Sequence, residues 1–166
     1  MMRSKPHISL LGKVLIAGIG NRLMGDDGFG PVVVARLSNV HLPDNIDLRD
    51  FGTAGVTIAT ELGDYDTVIF IDTMEMDGAP GTLKCLEIDV EDIDADASDL
   101  WRFTLHESGV EGLLRFSKAI GTLPARIILV GCKPKYIGPS LILSEEVERA
   151  VHEAVLLILE MLRIEG

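Results

Sequence analysis

Three stretches of this chain, at 13–19, 66–72 and 125–131, each hold an unbroken apolar run rich in Val, Ile and Leu. Each is too short to cross a membrane, and an unbroken apolar run of this length suits a strand buried on both faces. Such strands need helices above and below them. The intervening segments supply helical patterns. One runs from the glycine-rich turn at Asp27 or Gly28 to Leu37, tolerating Pro31 in its first turn. A second spans 56–62. A third opens on Ser108-Gly-Val-Glu111, a capping box, with Val110, Leu113, Leu114 and Ile120 as its apolar stripe. The last starts at Ser144, with Glu145 and Glu146 at its positive end and an apolar face running to Leu162.

Residues 46–50 alternate as a short strand, and 82–88 read as another. The link from Asp72 to Thr82 is too short for a crossover helix, which allows the 82–88 strand to be an antiparallel edge. Residues 89–99 are acidic and poor in core residues, as in a solvated loop. The expectation is α/β: one domain over 1–166, with 1–12 as an N-terminal extension. It has three α/β/α layers around a twisted, mostly parallel five-stranded sheet.

Charge narrows the partners. A net charge of -11 argues against nucleic acid and anionic membranes, both polyanions, and favours a basic protein segment or a metal ion. Cys85 and Cys132 are far apart in sequence and form no C-x-x-C, so both are expected reduced in the core. The apolar part of residues 1–12 is too short and interrupted for a signal peptide, and no apolar run reaches membrane-spanning length. A cytoplasmic location is expected.

The segment Gly18-Ile-Gly-Asn-Arg-Leu-Met-Gly-Asp-Asp-Gly-Phe-Gly30 links the first strand to the first helix. A glycine-rich turn there usually receives phosphate. Here Asp26 and Asp27 fill the anion position and would repel one. Leu23 stands where a dinucleotide fingerprint needs its third Gly, and no Gly-Lys-Ser/Thr follows for a P-loop. His106-Glu107 lacks the second His of a zincin helix, and Asp92-Ile-Asp-Ala-Asp96 lacks the Gly and closing Glu of a calcium loop.

Ligands of open α/β sheets bind beyond the carboxyl ends of the strands. The Asp26/Asp27 turn, Asp50 and Asp72 each follow such an end. Each has a plainer explanation: a helix cap for Asp27, a strand-end hydrogen bond for Asp72, turn chemistry for Asp50. His106 alone would be a surface or core-edge histidine. Taken together, two carboxylates and an imidazole suit an open site for a borderline divalent ion such as nickel, zinc or cadmium, with positions left for water or substrate. Placement near a helix N-terminus favours the neutral, metal-binding imidazole at His106.

The sequence resembles the endopeptidases that mature the large subunit of nickel-iron hydrogenases. The resemblance rests on the 18–30 segment, Asp50-Phe-Gly-Thr-Ala-Gly55, Ile71-Asp72, Pro80-Gly81, His106 ahead of a helix, and Val130-Gly131. It implies that Asp27, Asp72 and His106 are the catalytic, metal-contacting trio, and that Asp50, Gly52 and Thr53 handle substrate. The family's first acid is Glu or Asp; here it is the shorter Asp. The implied activity is removal of the C-terminal extension of the large-subunit precursor after nickel insertion. The nickel would be supplied by the substrate, with zinc or cadmium able to substitute. A non-catalytic nickel-sensing or assembly-binding module for the same precursor is the alternative. On this reading Asp27 faces the metal, Asp26 holds the turn by hydrogen bonds, and the glycines let the backbone approach a protein substrate.

Overall fold

The computed structural model describes residues 12–53, 55–93 and 109–163. The five strands are β1 (Val14–Ile19), β2 (Ile46–Gly52), β3 (Thr67–Thr73), β4 (Leu83–Ile88) and β5 (Arg126–Cys132). Between and after them run α1 (Phe29–Leu37), α2 (Gly55–Glu61), α3 (Val110–Ile120) and α4 (Glu145–Met161). The sheet order is β2-β1-β3-β5-β4, parallel except for the β4–β5 pair. The short link before β4 therefore does make an antiparallel edge.

The unbroken apolar runs within the central strands follow from burial on both faces. Val14 and Ile16 of β1, Ile69 and Ile71 of β3, and Ile128 and Val130 of β5 join one core layer under α1 and α4. The alternate residues Leu15, Ala17, Val68, Phe70 and Ile127 join a second layer under α2 and α3. Each fully buried Leu, Ile or Phe contributes about 1.5–3 kcal/mol relative to exposure. The two edge strands alternate instead. Asp47 and Arg49 of β2 face water, Arg49 pairing with Glu61; on β4, Glu87 takes two hydrogen bonds from the Arg126 guanidinium. Charges of this kind keep an exposed edge from recruiting another strand.

Helix ends follow the sequence at α4, where the Ser144 hydroxyl accepts from the Val147 N–H at 3.4 Å. Helix α1 is capped by Gly28, one of the two expected caps, without a side-chain bond, because the Asp27 carboxylate is engaged elsewhere. Helix α3 is capped by Gly109 at φ 95; Ser108 of the expected capping box lies outside the described residues. The 89–99 segment also begins more firmly packed than a solvated loop. Asp89 caps a 3-10 turn at Val90–Asp92, Ile93 is buried, and Lys118 of α3 donates to the carbonyls of Val90 and Ile93. None of the described helices is long and apolar enough to cross a membrane.

Strand order places the functional edge. From β1 the chain passes to β2 on one side, then crosses to β3 on the other. The carboxyl ends of β1 and β3 therefore flank the crevice where ligands of such sheets bind.

Candidate functional site

The site is built by how closely α1 is pressed into that crevice. A Cβ on Gly30 would lie 2.3 Å from the Ile71 carbonyl oxygen and 2.5 Å from that of Ile19, so only glycine lets the helix start between the two strands. Gly20, at φ 137, turns the chain so tightly that its own Cβ would sit 2.0 Å from the Asp27 carbonyl oxygen. These glycines serve internal packing. That corrects the expectation that they open the backbone to a substrate.

With α1 seated there, the 3-10 turn Asp26–Gly28 brings Asp27 beside the end of β3. One Asp27 oxygen accepts the Asn21 N–H at 2.9 Å, and the other accepts the Thr73 hydroxyl at 3.4 Å. The N–H of the same Thr73 donates to Asp72 at 2.8 Å. Thr73 thus braces both carboxylates. Burial, offset in part by the Thr73 N–H and reinforced by the nearby charge of Asp27, pushes the Asp72 carboxyl up to about 7. Among the described residues neither acid takes part in an ion pair. Two half-buried acids with no cation to balance them suit a divalent ion or a shared proton.

Asp26 has a different task. It is fully buried, and its carboxylate accepts the N–H groups of Lys135, Tyr136 and Ser144 at 2.7–2.9 Å and the Ser144 hydroxyl at 2.9 Å. Burial opposes ionisation, yet these bonds outweigh it and hold the group below the usual carboxylate range. Its hydrogen bonds reach the loop between β5 and α4 rather than closing its own turn.

Asp50 and Gly52 lie at the end of β2, on the far side of β1. Gly18 pairs with Asp50 on one side and with Ile71 on the other, so Asp50 stands about 10 Å, two strand spacings, from β3. A bulge in the β1–β2 pairing lets Gly52 sit opposite Ile19, and Gly52 accepts the Gly20 N–H at 3.0 Å. Asp50 accepts the Gly52 N–H at 2.9 Å and is exposed, as is Thr53. These residues flank the acid pair without joining it. His106 lies outside the described residues. An open cleft of about 840 Å³ begins at Met74, two residues beyond Asp72, and is also lined by Met76, Thr82 and Lys133.

Sequence reasoning passed over Thr73 and Asn21, which orient the acids. Thr73 could have been flagged by its position beside Asp72; the backbone N–H of Asn21 carries no residue-type signal. Cys132 offers no nucleophile here. It is buried, and burial with the charges of Asp26 and Glu153 pushes its thiol up to about 12.

Comparison with known proteins agrees with this architecture. A family model described as hydrogenase maturation protease, HycI, matches residues 31–161. A putative hydrogenase maturation protease of Methanocaldococcus jannaschii is 34% identical over 153 residues, spanning 88% of this chain and 94% of that protein. The hydrogenase 2 maturation protease of Escherichia coli is 29% identical over 156 residues, spanning 93% of each. Among solved structures, the hydrogenase 2 maturation peptidase of a Thaumarchaeota archaeon is 57% identical with a TM-score of 0.72, covering 92% of this chain and 99% of that one. The hydrogenase maturating endopeptidase HybD of E. coli is 26% identical with a TM-score of 0.71, over 93% and 94%. The chain therefore belongs to the hydrogenase maturation protease family, a family of peptide-bond hydrolases.

Proposed function

We propose that this protein is the endopeptidase that removes the C-terminal extension of a nickel-iron hydrogenase large-subunit precursor after nickel insertion. In this reading it acts in the cytoplasm, with Asp27, Asp72 and His106 as the side chains that meet the metal. The observation that carries the reading is the pairing of Asp27 with Asp72 across the β1–β3 crevice in a chain of this family. Two carboxylates and an imidazole match the preferences of borderline divalent ions, nickel first, with zinc or cadmium as substitutes. The nickel belongs to the substrate's own centre, so the trio reads whether that centre is loaded. A divalent ion held there by Asp27, Asp72 and His106 would supply Lewis acidity toward the scissile carbonyl or a bound water.

The chain's own residues orient and select. Thr73 holds the two carboxylates in a fixed mutual geometry, so little reorganisation is needed when the loaded precursor arrives. Asp50, Gly52 and Thr53 handle the substrate chain from the β2 side. That is consistent with the exposure of Asp50 and Thr53 one strand beyond the acid pair.

The test is to mix the protein with nickel-loaded and nickel-free precursor and follow the C-terminal peptide by mass spectrometry. Release from the loaded precursor alone is expected, and Asp72→Ala or His106→Ala is expected to lower it at least about a hundredfold while leaving the circular dichroism spectrum unchanged. Tight binding of loaded precursor with no peptide released would replace this reading with the nickel-sensing module.

A further inference from the structure

Among the described residues seven large apolar side chains are exposed, and five of them sit on two loops beside the acid turn: Leu23, Tyr136, Ile137, Leu141 and Ile142. Single exposed leucines need no explanation, but a cluster of this kind does. Leu141 and Ile142 are 80% and 77% exposed, and Leu23 is 63% exposed.

The cluster is held on a rigid base. The N–H of Gly25 donates to the Ser140 carbonyl at 2.9 Å, that of Ser140 to Leu23 at 3.1 Å, and that of Asp26 to Tyr136 at 2.9 Å. The buried Asp26 carboxylate adds its bonds to Lys135, Tyr136 and Ser144. Leu143, next to the exposed pair, packs against the α1/α4 core layer. The backbone bonds, the Asp26 carboxylate and Leu143 thus converge on presenting side chains that the fold itself does not use. Asp27 follows Asp26 directly, so the apolar cluster and the acid pair move as one unit.

Charge identifies the kind of surface that fits. The chain carries 26 acidic and 15 basic side chains, yet residues 21–25 and 133–143 contain Arg22, Lys133 and Lys135 and no acid, with the Lys135 ammonium paired to Glu146 at 2.8 Å. The cluster is an apolar island on an acidic protein, with Arg22 and Lys133 at its edge. A basic partner segment, which the overall charge favours, is locally the wrong match.

We propose that Leu23, Tyr136, Ile137, Leu141 and Ile142 form the docking surface for the protein substrate, engaging an apolar patch of the precursor that has a neutral or acidic margin. The proposal rests on the endopeptidase reading above and deepens it. Docking on this rigid unit sets the scissile segment at a fixed distance from Asp27, and it explains why Asp26 is spent on the β5–α4 loop. An apolar contact of this type is expected to act on association rather than on the chemical step.

The experiment compares wild type with the Leu141→Asp/Ile142→Asp double variant in processing nickel-loaded precursor. Leu156→Asp, at a 54% exposed position on α4, serves as matched control. The expected result is a KM raised at least about tenfold with kcat within about twofold for the double variant, and no change for the control. The complex of precursor with an Asp72→Asn background should weaken by the same factor. Circular dichroism and thermal melting check folding, and the milder Leu141→Ser/Ile142→Ser pair gives the same readout should the aspartates disturb it. An unchanged KM with wild-type processing intact overturns the docking surface and leaves the endopeptidase reading standing. A wild-type protein that neither binds nor cuts loaded precursor overturns both. Sedimentation showing a wild-type dimer that the double variant converts to monomer assigns the surface to a second copy and overturns the proposal.

Discussion

Asp26 and Asp72 stand at the same edge of the sheet, and their surroundings drive their protonation in opposite directions. Asp26 is held ionised by Ser144, Tyr136 and Lys135 despite burial, so its contribution to stability is present above its unfolded value near 3.8 and is lost as pH falls through its lower folded value. Asp72 is pushed up to about 7 by burial and by Asp27, so the folded protein holds a proton that the unfolded chain releases near 3.8. Stability therefore falls as pH rises from about 4 to 7 through this group. Asp72→Asn is expected to leave the melting temperature unchanged near pH 4 and to raise it at pH 8. The expected gain is on the order of 2–4 kcal/mol, measured by calorimetry at the two pH values. Asp26→Asn should do the reverse. It presents an amide to three backbone N–H donors and is expected to cost about 2–4 kcal/mol at pH 7, read from urea denaturation.

At the scale of elements, the decisive contact is the entry of α1 between β1 and β3. Gly30→Ala forces a methyl against the carbonyls of Ile19 and Ile71, both backbone and unable to move alone. The helix must lift, carrying the Asp26–Gly28 turn with it. A loss of about 2–4 kcal/mol in stability is expected, and the processing rate should fall further than the fraction unfolded accounts for. Circular dichroism and the cleavage assay, run on the same preparation, separate the two effects. The edge strands show the complementary logic. β2 carries charges outward, and its bulge sets Gly52 against the Gly20 turn, so a strand that adds little to the core shapes the rim of the site.

At the scale of the whole molecule, both core layers share one sheet. Phe70 belongs to the α2/α3 layer, while its strand neighbours Ile69 and Ile71 belong to the α1/α4 layer. Phe70→Ala is expected to cost about 3–5 kcal/mol and to shift a single transition rather than split it, with near-UV and far-UV dichroism melting together. Loss of one layer alone, with the other intact, would show that the sheet does not couple them.

The amino-acid sequence by itself determined where the strands lie, because a run such as Val68-Ile-Phe-Ile71 satisfies only a strand covered on both faces. It also located the Asp26/Asp27 turn, the α4 cap at Ser144 and the antiparallel edge, each a matter of neighbouring residues and short links. Only the tertiary structure decided what those residues do. Asp26 bonds to residues 109, 110 and 118 positions away. Gly30 is needed because two strands meet at its Cα, and Lys118 packs what looked like a solvated segment. Periodicity and capping are local and can be read along the chain. Strand order and long-range hydrogen bonds depend on which faces meet once the sheet closes, and those choices bring Asp27 and Asp72 to one crevice.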